Sequence, residues 1–155
     1  MSLNTFQLRE YIIIPTLKQL DLWSLAAEEL VLGTCIQESG LRLIKQQGGG
    51  PALGLWQMEP ATHDDIWINF LQARGSLAAK VLGTDLTHNA GRLLYDLRYG
   101  CAMCRIHYFR KDELLPAAGD LHGQAIYWKK HYNTIKGKGK PEEYIANWNR
   151  LTAHS

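Results

Sequence analysis

Cysteine is scarce in this chain and odd in number. Cys35, Cys101 and Cys104 cannot build the paired framework of a disulfide-stapled domain, and the last two stand too close to join separate elements. Reduced thiols and synthesis in a reducing compartment are expected. Long apolar runs are missing too. The most apolar stretch, Tyr11-Ile12-Ile13-Ile14-Pro15, falls far short of the roughly 20 residues that a membrane span needs, and it contains a proline. The first ten residues carry Arg9 and Glu10 but no apolar run of the kind a secretion signal requires. The expectation is therefore a chain made in the cytoplasm without a signal peptide and without a membrane span. A charge excess is lacking as well: 17 Lys plus Arg against 15 Asp plus Glu leave a formal +2, which argues against nucleic acid as a partner. Nowhere do four to eight residues alternate in the period of two that marks a half-buried strand.

What is present is an ordinary globular composition, 46% hydrophobic and 21% charged over 155 residues, enough to close one core. The reading is all-α, mostly helical, with residues 1–155 as one domain. Thr5 is placed to cap a first helix through about residue 20, which Pro15 kinks or divides. Ser24 caps a second helix, with Glu28 and Glu29 near its positive end, running to about Glu38. Gln46-Gln47-Gly48-Gly49-Gly50-Pro51 cannot continue a helix, because each glycine costs roughly 1 kcal/mol relative to alanine and proline lacks the donor. Thr62 precedes an acidic first turn made by Asp64 and Asp65. A short helix covers Leu77 to Leu82 and stops at Gly83. Residues 88 to 110 form the longest periodic run, and Leu121 to Tyr132 and Glu142 to Leu151 complete the set. Residues 135–141 read as a flexible basic loop in solvent.

Chemistry concentrates around Ile36-Gln37-Glu38-Ser39-Gly40-Leu41 and Leu53-Gly54-Leu55-Trp56-Gln57-Met58-Glu59-Pro60. A carboxylate at a helix C-terminus meets the negative end of the dipole, and partial burial further disfavours its charge. Both effects raise the pKa of Glu38 toward that of a general acid. Trp56 offers a face for a pyranose ring and Gln57 an amide for a hydroxyl or acetamido group. The plainer readings are a glutamate ending a helix in solvent and a Trp–Met pair in the core.

Together these segments resemble the lysozyme-like lytic transglycosylase family, which carries a Glu-Ser pair at a helix end followed by a Gly-Leu-Met-Gln segment. Asn89-Ala90-Gly91 with Leu94-Tyr95 is similar to the family's Asn-x-x-x-Gly-x-x-Tyr-Leu helix in altered form, and Tyr132-Asn133 to its Tyr-Asn-Ala-Gly segment. Trp56 stands where methionine is usual, and Thr134-Ile135 replaces Ala-Gly. Trp128 to Thr134 and the Gly-Lys-Gly beyond it also resemble small phage-encoded members, in which a virion carries the domain to the cell wall or lysis releases it.

The resemblance implies cleavage of the β-1,4 bond between N-acetylmuramic acid and N-acetylglucosamine, with Glu38 as acid and then base and a 1,6-anhydro product. Ser39, Trp56, Gln57 and Met58 would position sugar, and Tyr127 or Tyr132 would line the cleft. The implied partners are a peptidoglycan strand and phage virion proteins, with no cofactor. A hydrolase would need a second carboxylate, for which Glu59, Asp64 and Asp65 are available. A binding module that kept the fold without the reaction, and a glycosidase for another amino-sugar polymer such as chitin, are the competing readings. Cys101-x-x-Cys104-x-x-His107 lacks a fourth zinc ligand, and the remaining histidines form no His-Glu-x-x-His motif. No role is assigned to them. The lysines of Lys136-Gly137-Lys138-Gly139-Lys140 have the wrong glycine spacing for a phosphate loop and read as solvated charge or as attraction to an anionic wall.

Overall fold

The computed structural model describes residues 2–134 and 136–153, and within them the chain is all-α. The first helical stretch consists of α1 (Thr5–Leu8), a π-helical turn (Arg9–Ile13) and α2 (Ile14–Gln19). Asn4 caps it rather than Thr5: its Oδ1 accepts from Gln7 N at 3.0 Å, and Thr5 is buried in the first turn. Pro15 lies in the first turn of α2, so the stretch is divided just before it, as expected, though by a π-helical turn and not by a loop. The widened turn just before it, in which Ile14 N–H reaches back to the Arg9 carbonyl, absorbs the clash that a proline ring makes one turn back.

α3 (Leu25–Ser39) starts at Ser24 as expected, with the Ser24 hydroxyl accepting from Ala27 N at 3.0 Å. Its residues from Leu30 to Ile36 are all buried, so it runs through the protein rather than along its surface. It ends where Gly40 adopts a left-handed conformation, φ +58°, and donates to the Ile36 carbonyl. α4 (Pro60–Asn69) opens on Pro60, so Asp64 and Asp65 lie past its first turn rather than in it. α5 (Gly75–Leu82) stops at Gly83, where the spacing placed it.

The run from 88 to 110 is not one helix. A 3-10 turn (Ala90–Leu94) precedes α6 (Leu97–Phe109), and Asp96 separates the two. One Asp96 oxygen caps α6 by accepting from Tyr99 N, and the other binds the buried Arg92 guanidinium at 2.9 Å. α7 (Leu121–Trp128) continues into a second π-helical turn (Lys129–Asn133), and α8 (Pro141–Thr152) closes the described chain.

Two apolar clusters share α6. One joins α3, α7, α8 and the N-terminal helices through Ile13, Val31, Cys35, Cys104, Trp128 and Tyr144. The other gathers Ile66, Val81, Tyr99 and Ile106 from α4, α5 and α6, with Met58 from the turn before α4 and Leu71 from the 3-10 turn (Leu71–Ala73) after it. Tyr132 packs against both. Between α3 and α4 the chain makes two isolated antiparallel bridges, Lys45 with Leu53 and Leu53 with Met58. No helix among the described residues is long and apolar enough to cross a membrane.

Candidate active site

Glu38 reaches the surface in the last turn of α3, at the floor of a groove of about 700 Å³. The helix arrives there through the core, so most of the carboxyl's surroundings are protein. Burial pushes its pKa from the usual 4.5 up to about 7. The buried Trp128 indole N–H, which has no fully formed hydrogen bond among the described residues, opposes this by weak donation toward Glu38 without cancelling it. The acid of this groove is thus held by the end of a buried helix and tuned by a tryptophan from α7.

The second wall is the tight turn between Leu53 and Met58, whose backbones exchange hydrogen bonds at 2.9 and 3.1 Å. Gly54 makes it possible. With φ +78° and the Leu93 carbonyl oxygen 2.1 Å from where a Cβ would stand, no other residue fits. Gln57 at the far side is also left-handed, φ +47°, an uncommon state for a non-glycine residue that the turn imposes. Its backbone N–H and its Nε2 both donate to the Gly54 carbonyl. This conformation turns Gln57 and Met58 toward the groove and Trp56 away from it.

The third wall comes from the π-helical turn and the loop beyond it. Tyr132 donates its hydroxyl to the Trp56 carbonyl at 2.6 Å, fastening this wall to the turn opposite. Lys129 Nζ reaches Asn133 Oδ1 at 2.7 Å and the Gly137 carbonyl at 2.9 Å. Gly139 lies so close to Trp128 that a Cβ there would sit 2.6 Å from the indole. The basic segment is therefore packed against the site instead of lying free in solvent. Lys136 and Lys138 stay exposed at the rim, while Ile135 lies outside the described residues.

No protein-family model matches the chain, and no curated protein and no solved structure matches it.

Of the residues expected from sequence, Glu38, Gln57, Met58 and Tyr132 line the one groove. Three others do not. Trp56 is 2% exposed and donates its indole N–H to the Val31 carbonyl at 3.0 Å, so it offers no face to a sugar. Ser39 is buried, donating to the Cys35 carbonyl and accepting from Leu41 N, which makes it part of the helix end. Tyr127 donates to the Glu113 carbonyl and packs on Tyr108 and His131, outside the groove lining.

Among the candidate second carboxylates, Glu59 lines the groove and is exposed. Asp64 is engaged by His63 Nδ1 at 2.9 Å and Asp65 by Arg110 at 2.6 Å, and neither lines the groove. Burial raises the pKa of all three thiols, and no group of three or more His, Cys, Asp or Glu side chains among the described residues is placed to hold a metal. His107, by contrast, lines the groove and was legible only as the tail of the Cys-x-x-Cys pattern.

Proposed function

We propose that the groove binds an amino-sugar glycan strand and that Glu38 cleaves it as general acid and then base, in the manner of a peptidoglycan lytic transglycosylase. The observation that carries this reading is a largely enclosed carboxyl at the end of a buried helix that opens on a groove, a position in which burial pushes its pKa up to about 7. Such an acid is about half protonated at neutral pH, so it can both give and take a proton. About 700 Å³ suits a bound saccharide, and the neutral amides of Gln37, Gln46, Gln47, Gln57 and Asn133 around it suit hydroxyl and acetamido groups. Glu38 would donate its proton to the glycosidic oxygen as the C1–O bond breaks. The resulting carboxylate would take the proton of the C6 hydroxyl, whose oxygen closes on C1 to give the 1,6-anhydro sugar. We place the action at the bacterial cell wall, with delivery by a phage virion or release on lysis.

A second reading is hydrolysis, favoured by the exposed carboxylate of Glu59 in the same groove, which could activate a water. One experiment separates these readings from a non-catalytic binding module. Purified protein is incubated with peptidoglycan and the soluble fragments are weighed by mass spectrometry. Anhydro-muropeptides, one water lighter than hydrolytic products, are expected from the wild type and not from Glu38→Gln. Fragments that keep the water support hydrolysis, and binding without release of fragments contradicts both enzymatic readings.

A further inference from the structure

His107 is a polar group of the groove that the proposed chemistry leaves unused. It sits in the last turn of α6, is 7% exposed, and meets the ring of Tyr132 edge-on at 5.2 Å between centroids. Its Nδ1 lies 3.3 Å from Arg110 Nη2. A guanidinium only donates, so Nδ1 must be the bare, accepting nitrogen and the ring proton must reside on Nε2. Arg110 is itself held from α4 by Asp65, through Nη1 to Oδ2 at 2.6 Å. Asp65 thus fixes Arg110, and Arg110 fixes the tautomer. Among the described residues Nε2–H has no hydrogen-bond partner, although the residue lines the groove. The residue as a whole is nearly buried, but Nε2 is not among the buried nitrogens left without a partner, so this N–H opens on the groove, where the acceptor of a ligand can take the place of water.

We propose that His107 is a specificity-determining residue whose Nε2–H donates to the acetamido carbonyl of an N-acetylated sugar in the groove. This rests on the glycan reading above. The acetamido group pairs an acceptor oxygen with a methyl, and Met58 and Leu43 in the same lining supply apolar surface for the methyl. The role requires a neutral ring. The charged and titratable groups facing His107 are Arg110 and Lys111 at the end of α6, Asp65 from α4 and His131 from the second π-helical turn. Burial first, then the Arg110 and Lys111 cations, hold its pKa down at about 3, with Asp65 opposing. His107 therefore stays a neutral donor throughout the range in which Glu38 titrates.

The test is ¹⁵N NMR of the imidazoles in the full chain. Free wild type should show His107 as the Nε2–H tautomer with bare Nδ1, unchanged from pH 5 to pH 8. In Glu38→Gln, which cannot cleave, the N-acetylglucosamine tetramer should shift the Nε2–H resonance, whereas the glucosamine tetramer should not. His107→Phe should weaken binding of the acetylated tetramer about fivefold to tenfold, and His107→Gln, which restores an N–H donor, should recover most of it. An Nδ1–H tautomer or an imidazolium at pH 7 overturns the assignment whether or not any variant folds. Acetylated tetramer that binds without moving this resonance overturns it while leaving the glycan reading intact. Absence of tetramer binding together with absence of muropeptide release removes the glycan reading itself.

Discussion

Glu38 and Trp56 exchange the importance that their residue types suggest. A glutamate followed by Ser-Gly reads first as a solvated helix end, yet its carboxyl is the most perturbed acid lining the groove. A tryptophan in a glycine-rich turn reads as a sugar platform, yet it is core. Sequence shows which side chains a turn contains but not the side to which each points, and in the Gly54–Gln57 turn neighbours part in opposite directions. His107 was hidden for a related reason: its tautomer depends on Arg110 and on Asp65, which is remote in sequence and on a different helix. Trp56→Phe should accordingly lower stability by about 1–3 kcal/mol in urea denaturation, through a lost buried hydrogen bond and poorer filling, while leaving KM for peptidoglycan unchanged. Glu38→Gln should behave in the opposite way, losing activity and gaining stability. At pH 4 folded and unfolded chains both keep most of the proton, so the two proteins should be nearly equally stable. As pH rises from 4.5 to about 7 the unfolded wild type ionises first. By pH 8 the variant should lead by on the order of 3 kcal/mol, since each pKa unit corresponds to about 1.4 kcal/mol.

The helix boundaries show which local signals survive packing. Ser24 begins α3 and Gly83 ends α5 where the sequence placed them, because a cap or a glycine at positive φ acts on its own backbone. The periodic run from 88 to 110 misled because apolar spacing continues through a break set by polar chemistry. Asp96 has two oxygens and two tasks, a cap at Tyr99 N and an ion pair with Arg92. Asp96→Ala should therefore cost more than a cap alone, about 2–4 kcal/mol by urea titration, as it also weakens the support of a buried guanidinium. Gly54→Ala tests the turn in the same way. Its Cβ would strike the Leu93 carbonyl at a backbone angle alanine disfavours, so a loss of at least 2 kcal/mol in thermal or urea unfolding is expected, together with a raised KM as Gln57 shifts.

The groove exists because two apolar clusters meet along α6 without merging. α3 brings Glu38 from one, the turn after Leu53 brings Gln57 and Met58 onto the other, and Tyr132 bridges them. The all-α class was legible from the absence of strand periodicity. The meeting of the clusters was not, since it depends on close approaches between distant segments such as Gly33 under the Tyr144 hydroxyl and Gly139 against Trp128. That arrangement has one central consequence, a side-chain acid that burial leaves about half protonated at neutral pH beside open space. The direct measurement is a ¹³C NMR titration of the Glu38 carboxyl in the folded wild type. A midpoint near pH 7, with cell-wall cleavage falling through the same range as pH rises, is the expected result. A midpoint near 4.5 would contradict it and leave the groove without its acid.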